Sequence, residues 1–101
     1  LPYDMTKSGI LGLTRGLAEE WKNDNILVNS VAPGWFLTKL NEGMFEQNPD
    51  RRAAALSKPM LPRFGKPVEI GYMMLFLLSG ASTYLTGHDF AVDGGATSHG
   101  F

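Results

Sequence analysis

Two residues near the start of the chain are spaced for proton chemistry. Tyr3 and Lys7 stand four apart in Tyr3-Asp4-Met5-Thr6-Lys7. On a helix that spacing puts them one turn apart on one face, with Cβ atoms about 5–6 Å from each other. A phenol with a pKa of about 10 is a poor acid or base at neutral pH. A unit positive charge about 5 Å away, at an effective dielectric of about 20, favours phenolate by roughly 3 kcal/mol, or about two pKa units. Such a phenol could exchange a proton with a carbonyl or alcohol oxygen. The same spacing also fits a plain solvated helix face, so the pair needs support from elsewhere in the chain.

The elements that would position these residues come next. Residues 3 to 22 read as a helix, with Ile10, Leu13, Leu17 and Trp21 forming an apolar stripe. Gly9, Gly12 and Gly16 each cost about 1 kcal/mol of helix propensity against alanine, and they predict close packing against a sheet or a partner helix. Ile26 to Ala32 reads as a buried parallel strand that Pro33-Gly34 ends sharply. In open α/β sheets ligands sit at the carboxyl ends of strands. Pro33 lacks an N–H, and Gly34 would let a flat ligand approach the backbone.

Trp35 to Pro62 is a long connection with two helical patches, Leu37 to Phe45 and Arg51 to Leu56. Such insertions at the ligand end of a sheet are often lids. Trp35, Phe36, Met44, Phe45 and Met60 would supply an apolar wall, or ordinary core. Pro67-Val68-Glu69 opens a further helix, with proline in the first turn and an acid at the positive dipole end. Its body, Ile70 to Leu78, is apolar nearly all round and is predicted to be buried. Ser79 to Ser82 unwinds it, and Phe90-Ala91-Val92 reads as a final strand.

Composition narrows the function classes. The chain has 101 residues, 44% of them apolar and 19% charged, enough for one small domain at most. A net charge of −1 gives no footprint for nucleic acid or an anionic membrane. Without cysteine there is no disulfide, thiolate metal site or cysteine nucleophile, and a reducing, cytoplasmic setting fits. His88 and His99 lack metal-ligand spacing, so no metal site is expected. No apolar run reaches the roughly 20 residues of a membrane span.

Several motifs, taken in order, resemble the C-terminal half of the short-chain dehydrogenase/reductase family. They are Tyr3-x-x-Thr6-Lys7-x-Gly9, then Leu13-Thr14-x-x-Leu17-Ala18-x-Glu20, then Ile26-x-Val28-Asn29-x-Val31-Ala32-Pro33-Gly34-x-x-x-Thr38. Arg63-Phe64-Gly65-Lys66-Pro67-x-Glu69-Ile70 and Val92-Asp93-Gly94-Gly95 extend the likeness over nearly the whole chain. The resemblance implies an α/β fold, the C-terminal part of a Rossmann-like doubly wound parallel sheet, with residues 1–101 as the catalytic and substrate-binding half of one domain. It implies NAD or NADP as cofactor and a secondary alcohol or ketone as substrate, with a sugar acid or polyol among the candidates.

Carried over residue by residue, Tyr3 is the acid/base. Lys7 lowers its pKa and holds the nicotinamide ribose. Pro33 and Gly34 line the nicotinamide, while the Phe36 backbone and the Thr38 hydroxyl hold the carboxamide and pyrophosphate. Phe36 departs from the small β-branched residue common in the family at its position. The family's glycine-rich phosphate turn, nucleotide-binding half and catalytic serine precede the tyrosine and have no counterpart here, so the sequence reads as a fragment. A homotetramer is implied as well. A non-catalytic relative serving as an oligomerisation partner, and a stand-alone helical interaction module, are the alternatives.

Overall fold

The computed structural model describes the backbone of residues 2–98 and the side chains of residues 5–98. In order, the chain forms helix α1 (Pro2–Glu20), strand β1 (Ser30–Pro33), helices α2 (Lys39–Gln47), α3 (Pro49–Leu56) and α4 (Pro67–Leu77), and strand β2 (Asp89–Val92). The strands pair in one two-stranded sheet. Gly87 N–H donates to the Val28 carbonyl at 2.7 Å, Ser30 N–H to His88 at 3.0 Å and Gly34 N–H to Val92 at 2.9 Å. Residue numbers climb together along both strands, which is parallel pairing. The fold is α/β, as the sequence implies.

β1 starts four residues later than the apolar run predicts, and side chains explain why. The Thr86 hydroxyl accepts the Val28 N–H at 3.0 Å. Asn29 donates from Nδ2 to the Leu85 carbonyl at 3.0 Å and accepts the His88 N–H on Oδ1 at 3.2 Å. Side-chain partners replace part of the backbone ladder here. Ile26 and Leu27 stay exposed.

Packing divides the chain into two compact units, Leu1–Ala32 with Met74–Phe90, and Pro33–Met73 with Ala91–Phe101. In the first, the shielded face of α1 carries Lys7, Leu11, Thr14 and Ala18, spaced 4, 3 and 4. The Ile10–Leu13–Leu17–Trp21 stripe read from the sequence is the more open one; Leu13 is 61% exposed. Backbone approaches this face at Ala18: a β-carbon on Gly87, whose φ is +77°, would lie 3.5 Å from the Ala18 methyl. Thr14 is buried and returns its hydroxyl to the Ile10 carbonyl at 2.8 Å, so it adds no orphan polar group. No described side chain or neighbouring backbone fills the space beside Gly9, Gly12 and Gly16. The close contact they predict is therefore not made among the described residues.

The expectation of a buried apolar helix is corrected at α4, where no side chain is buried. Ile70, Met73 and Leu77 are half-shielded, at helical spacing on one face. Tyr72, Leu75 and, just beyond the helix, Leu78 are 65%, 68% and 84% exposed. A helix apolar all round needs neighbours all round, and the described residues cover one side. Its end is well made: Ser79 Oγ donates to the Phe76 carbonyl and accepts the Ala81 N–H, while buried Ser82 donates to Leu77 at 2.8 Å. Orphan carbonyls of the last turn are thereby satisfied.

The second unit is built on Phe45, only 3% exposed. Trp35 meets its ring edge-on with centroids 5.7 Å apart, and Phe64 lies at 5.0 Å. Arg52 covers Phe64 at 5.6 Å from the ring centre, a cation–π contact on an open surface. Leu40, within the Leu37 to Phe45 patch, is 96% exposed; Asn41, Met44 and Phe45 turn inward instead. Among the described residues no helix is long and apolar enough to cross a membrane.

Candidate active site

Tyr3 and Lys7 both lie on the backbone of α1, four residues apart within one continuous helix. The Tyr3 side chain lies outside the described residues; Lys7 is half-buried. His99 also falls outside the described residues. Among those that are described, no cluster of three metal-ligating side chains forms.

Pro33, Gly34, Phe36 and Thr38 all belong to the second unit and follow one another off the end of β1. Gly34 is needed for packing within the chain: a β-carbon there would stand 2.8 Å from the Asp93 Cα. The glycine thus lets the turn after β2 press against the turn after β1. Pro33 is exposed and Gly34 half-buried.

Thr38 is the N-cap of α2. Its hydroxyl accepts the Asn41 N–H at 3.4 Å, and Asn41 Oδ1 accepts the Thr38 N–H at 2.8 Å, a reciprocal capping box. Asn41 Nδ2 also donates to the Phe36 carbonyl at 2.9 Å. One asparagine thereby fixes two of the positions that the family resemblance places at the cofactor. Sequence reading missed it, although Thr-x-x-Asn ahead of an apolar helix is a variant of the capping-box signature. The Thr38 hydroxyl keeps its own hydrogen to donate, beside the positive end of the α2 dipole.

The Arg63-Phe64-Gly65-Lys66-Pro67-x-Glu69 motif is a clamp at the start of α4. Arg63 grips Glu69 with two parallel hydrogen bonds, Nη1 to Oε1 at 2.9 Å and Nη2 to Oε2 at 3.0 Å. Glu69 Oε1 also accepts the Lys66 N–H at 2.7 Å, capping the helix. Gly65 N–H donates to the Trp35 carbonyl at 2.9 Å, and Gly65 pairs with Phe36 as an isolated parallel bridge.

Hydrogen bonds from Arg63 first, then from the Lys66 N–H, pull the Glu69 carboxyl down from 4.5 to about 2. A carboxylate depressed in the fold stabilises it above the unfolded value and loses that contribution as pH falls through the folded value. The pair is open to solvent, so the effect is modest. The apparent melting temperature should therefore decline between about pH 4.5 and 2, and Glu69→Gln should flatten that decline. Superimposable pH profiles for the two proteins would remove the clamp from the account.

After β2 the chain turns through Asp93-Gly94-Gly95, with φ of +63° and +91° at the glycines. Asp93 Oδ1 accepts the Gly95 N–H at 2.9 Å, and Oδ2 accepts the Thr97 N–H at 3.0 Å and its hydroxyl at 2.8 Å. Burial pushes the Asp93 carboxyl up, but the Thr97 and Gly95 donors together outweigh it and hold it below the usual value. Between this turn, the clamp and the Trp35-Phe36 strip lies a cavity of about 490 Å³, with Trp35, Phe36, Met60, Leu61, Val92 and Gly95 in its wall.

With that geometry in hand, comparison with known proteins is specific. The model of a family described as enoyl-(acyl carrier protein) reductase matches residues 2–97. The 3-oxoacyl-[acyl-carrier-protein] reductase FabG of Thermotoga maritima is 43% identical over 93 residues, which are 92% of this chain and 37% of that protein. A structure from Agrobacterium tumefaciens, assigned as a 2-deoxy-D-gluconate 3-dehydrogenase and solved with bound NADP, superposes with a TM-score of 0.87 at 35% identity over 96% of this chain and 39% of its own. A 4-hydroxyisoleucine dehydrogenase complexed with NADH gives a TM-score of 0.86 at 33% identity, over 95% of this chain and 39% of its own. The chain belongs to the short-chain dehydrogenase/reductase family. It spans 37% to 39% of the length of these relatives.

Proposed function

We propose that residues 1–101 are the catalytic and substrate-binding half of a Rossmann-type domain in an NAD(P)-dependent oxidoreductase. The reaction interconverts a secondary alcohol and a ketone. NAD or NADP, when bound, supplies or accepts the hydride. The chain's part is the proton: the Tyr3 hydroxyl gives it to the carbonyl oxygen in reduction and takes it back in oxidation. Lys7 favours the phenolate and reaches the ribose hydroxyls. The observation that carries this reading is the placement of Tyr3 and Lys7 one turn apart on α1 in a member of this family.

The second unit fits the cofactor's other end. The Thr38 hydroxyl hydrogen and the first turn of α2 offer donors to a diphosphate, and the tethered Phe36 strip offers a fixed backbone edge to a carboxamide. Pro33 and Gly34 form the floor beneath the nicotinamide. Substrate is then a small-molecule alcohol or ketone, with neither nucleic acid nor membrane as partner, and the working compartment is the cytoplasm. Assembly as a homotetramer of dihedral symmetry would cover the open faces of α1 and α4.

The test is a chimera in which residues 2–97 replace the matched stretch of the NADP-binding Agrobacterium tumefaciens protein. Lys7→Ala in that chimera should lose both turnover and dinucleotide affinity, because one ammonium serves the phenol and the ribose. Unchanged dinucleotide affinity would remove the ribose contact from the proposal.

A further inference from the structure

We infer that Asn41 is a positioning residue for the dinucleotide: it presets Phe36 and Thr38 together, and its amide does so without setting a negative charge beside the diphosphate. This rests on the oxidoreductase reading above, which puts Phe36 and Thr38 against the cofactor, and adds what holds them there. The first observation is that one half-buried side chain commits both ends of its amide to this segment. Asn41 Oδ1 accepts the Thr38 N–H at 2.8 Å, and Nδ2 donates to the Phe36 carbonyl at 2.9 Å. The Asn41 N–H reaches the Thr38 hydroxyl oxygen at 3.4 Å, so that hydroxyl is engaged as an acceptor and keeps its hydrogen for another partner. On the other side, the Gly65 N–H bond to Trp35 and the Phe36–Gly65 bridge hold the strip. Residues 36 to 38 are thus tied before any ligand arrives, which leaves less ordering to oppose binding.

The second observation is the residue type. A reciprocal capping box usually has glutamate or glutamine at this position. An acid there would also be favoured by the positive end of the α2 dipole. Helix capping alone therefore gives no preference for an amide. A carboxylate at 41 could still accept the Thr38 N–H, but it could not donate to the Phe36 carbonyl. It would also set a negative charge close to the Thr38 hydroxyl and the first-turn N–H groups, the donors offered to a diphosphate. Glu42, the acid of that turn, is exposed, whereas Asn41 is half-buried against the segment it ties. Both drawbacks of a carboxylate fall on the ligand rather than on the helix.

The experiment uses the chimera defined above and reads binding calorimetrically with two ligands. NADP carries the diphosphate and the carboxamide; adenosine 2′,5′-bisphosphate carries neither and reports the adenosine site of the host. Asn41→Ala should weaken NADP at least about fivefold, because two hydrogen bonds are lost. Asn41→Asp should weaken it at least about tenfold, while its melting temperature stays level or rises. Adenosine 2′,5′-bisphosphate should bind both variants as it binds the parent chimera. Thr38→Val should weaken NADP as well. Adding Asn41→Ala to it should lose less than the product of the two single losses, because Asn41 acts partly through Thr38. Unchanged NADP affinity in both Asn41 variants, parallel loss of both ligands, or strictly multiplicative losses in the double variant would each overturn the inference. Loss of the Tyr3 assignment by kinetics would leave these affinities unchanged, so the two failures are distinguishable.

Discussion

Tyr3→Phe should lower kcat of the chimera by about 10²–10⁴ while dinucleotide affinity stays within a few-fold, because general acid–base groups typically contribute that much. Only the phenolic hydroxyl is lost. The ring remains, the α1 backbone is unchanged, and the proposed ribose contact of Lys7 is left in place. The fall should appear in kcat and kcat/KM together, the pattern of an interaction made only in the transition state. The pH profile should respond as well: a limb governed by the phenol disappears when the phenol does. Steady-state kinetics with a dinucleotide titration checks this. Near-normal kcat would sink the assignment of Tyr3 as the acid/base.

Phe45→Ala should be the most damaging core substitution in the second unit. Phe45 is 3% exposed and is flanked by Trp35 and Phe64. Removing a buried phenylalanine ring typically costs about 3–5 kcal/mol, the lost transfer energy plus the cavity left behind. Small domains hold only about 5–15 kcal/mol in all, so a large fraction of the stability goes with one ring. The edge-on contact with Trp35 adds a readout, since the near-ultraviolet dichroism of that indole should weaken in the variant. Urea unfolding followed by that signal would measure the loss. A change below about 1 kcal/mol would mean that the aromatic cluster is not the core of this unit.

What could be read from the sequence divides along physical lines. Helix α1, the two helices of the long connection and the final strand follow from local pattern, and all four appear close to where the pattern puts them. Parallel pairing follows from apolar runs without alternation. Burial did not follow, because it depends on neighbours rather than on the segment itself. Ile10 and Leu13 are exposed while Thr14 and Ala18 are buried, with Gly87 packed close to the Ala18 methyl. α4 is as apolar as its sequence, yet the described residues shield only one side of it.

At the candidate site the contrast is similar. The candidate residues stood out by type and spacing, Tyr3 with Lys7 above all. The residues that hold others in place did not: Asn41 ties Thr38 to Phe36, Glu69 takes both arms of Arg63, and Gly65 leaves room for a ring 29 positions earlier. Each acts through a partner that sequence order does not reveal, and only the folded backbone brings the two together.

The central claim is that these residues carry the proton-handling half of a hydride-transferring enzyme. It is tested most directly by the Agrobacterium tumefaciens chimera, given NADPH and a panel of ketones, with loss of reduced-nicotinamide absorbance recorded beside the Tyr3→Phe version. The account predicts ketone-dependent oxidation of NADPH that the single substitution nearly abolishes while NADPH still binds. A folded chimera that binds NADPH yet turns over none of the ketones its host reduces, or one whose turnover survives Tyr3→Phe, would contradict it.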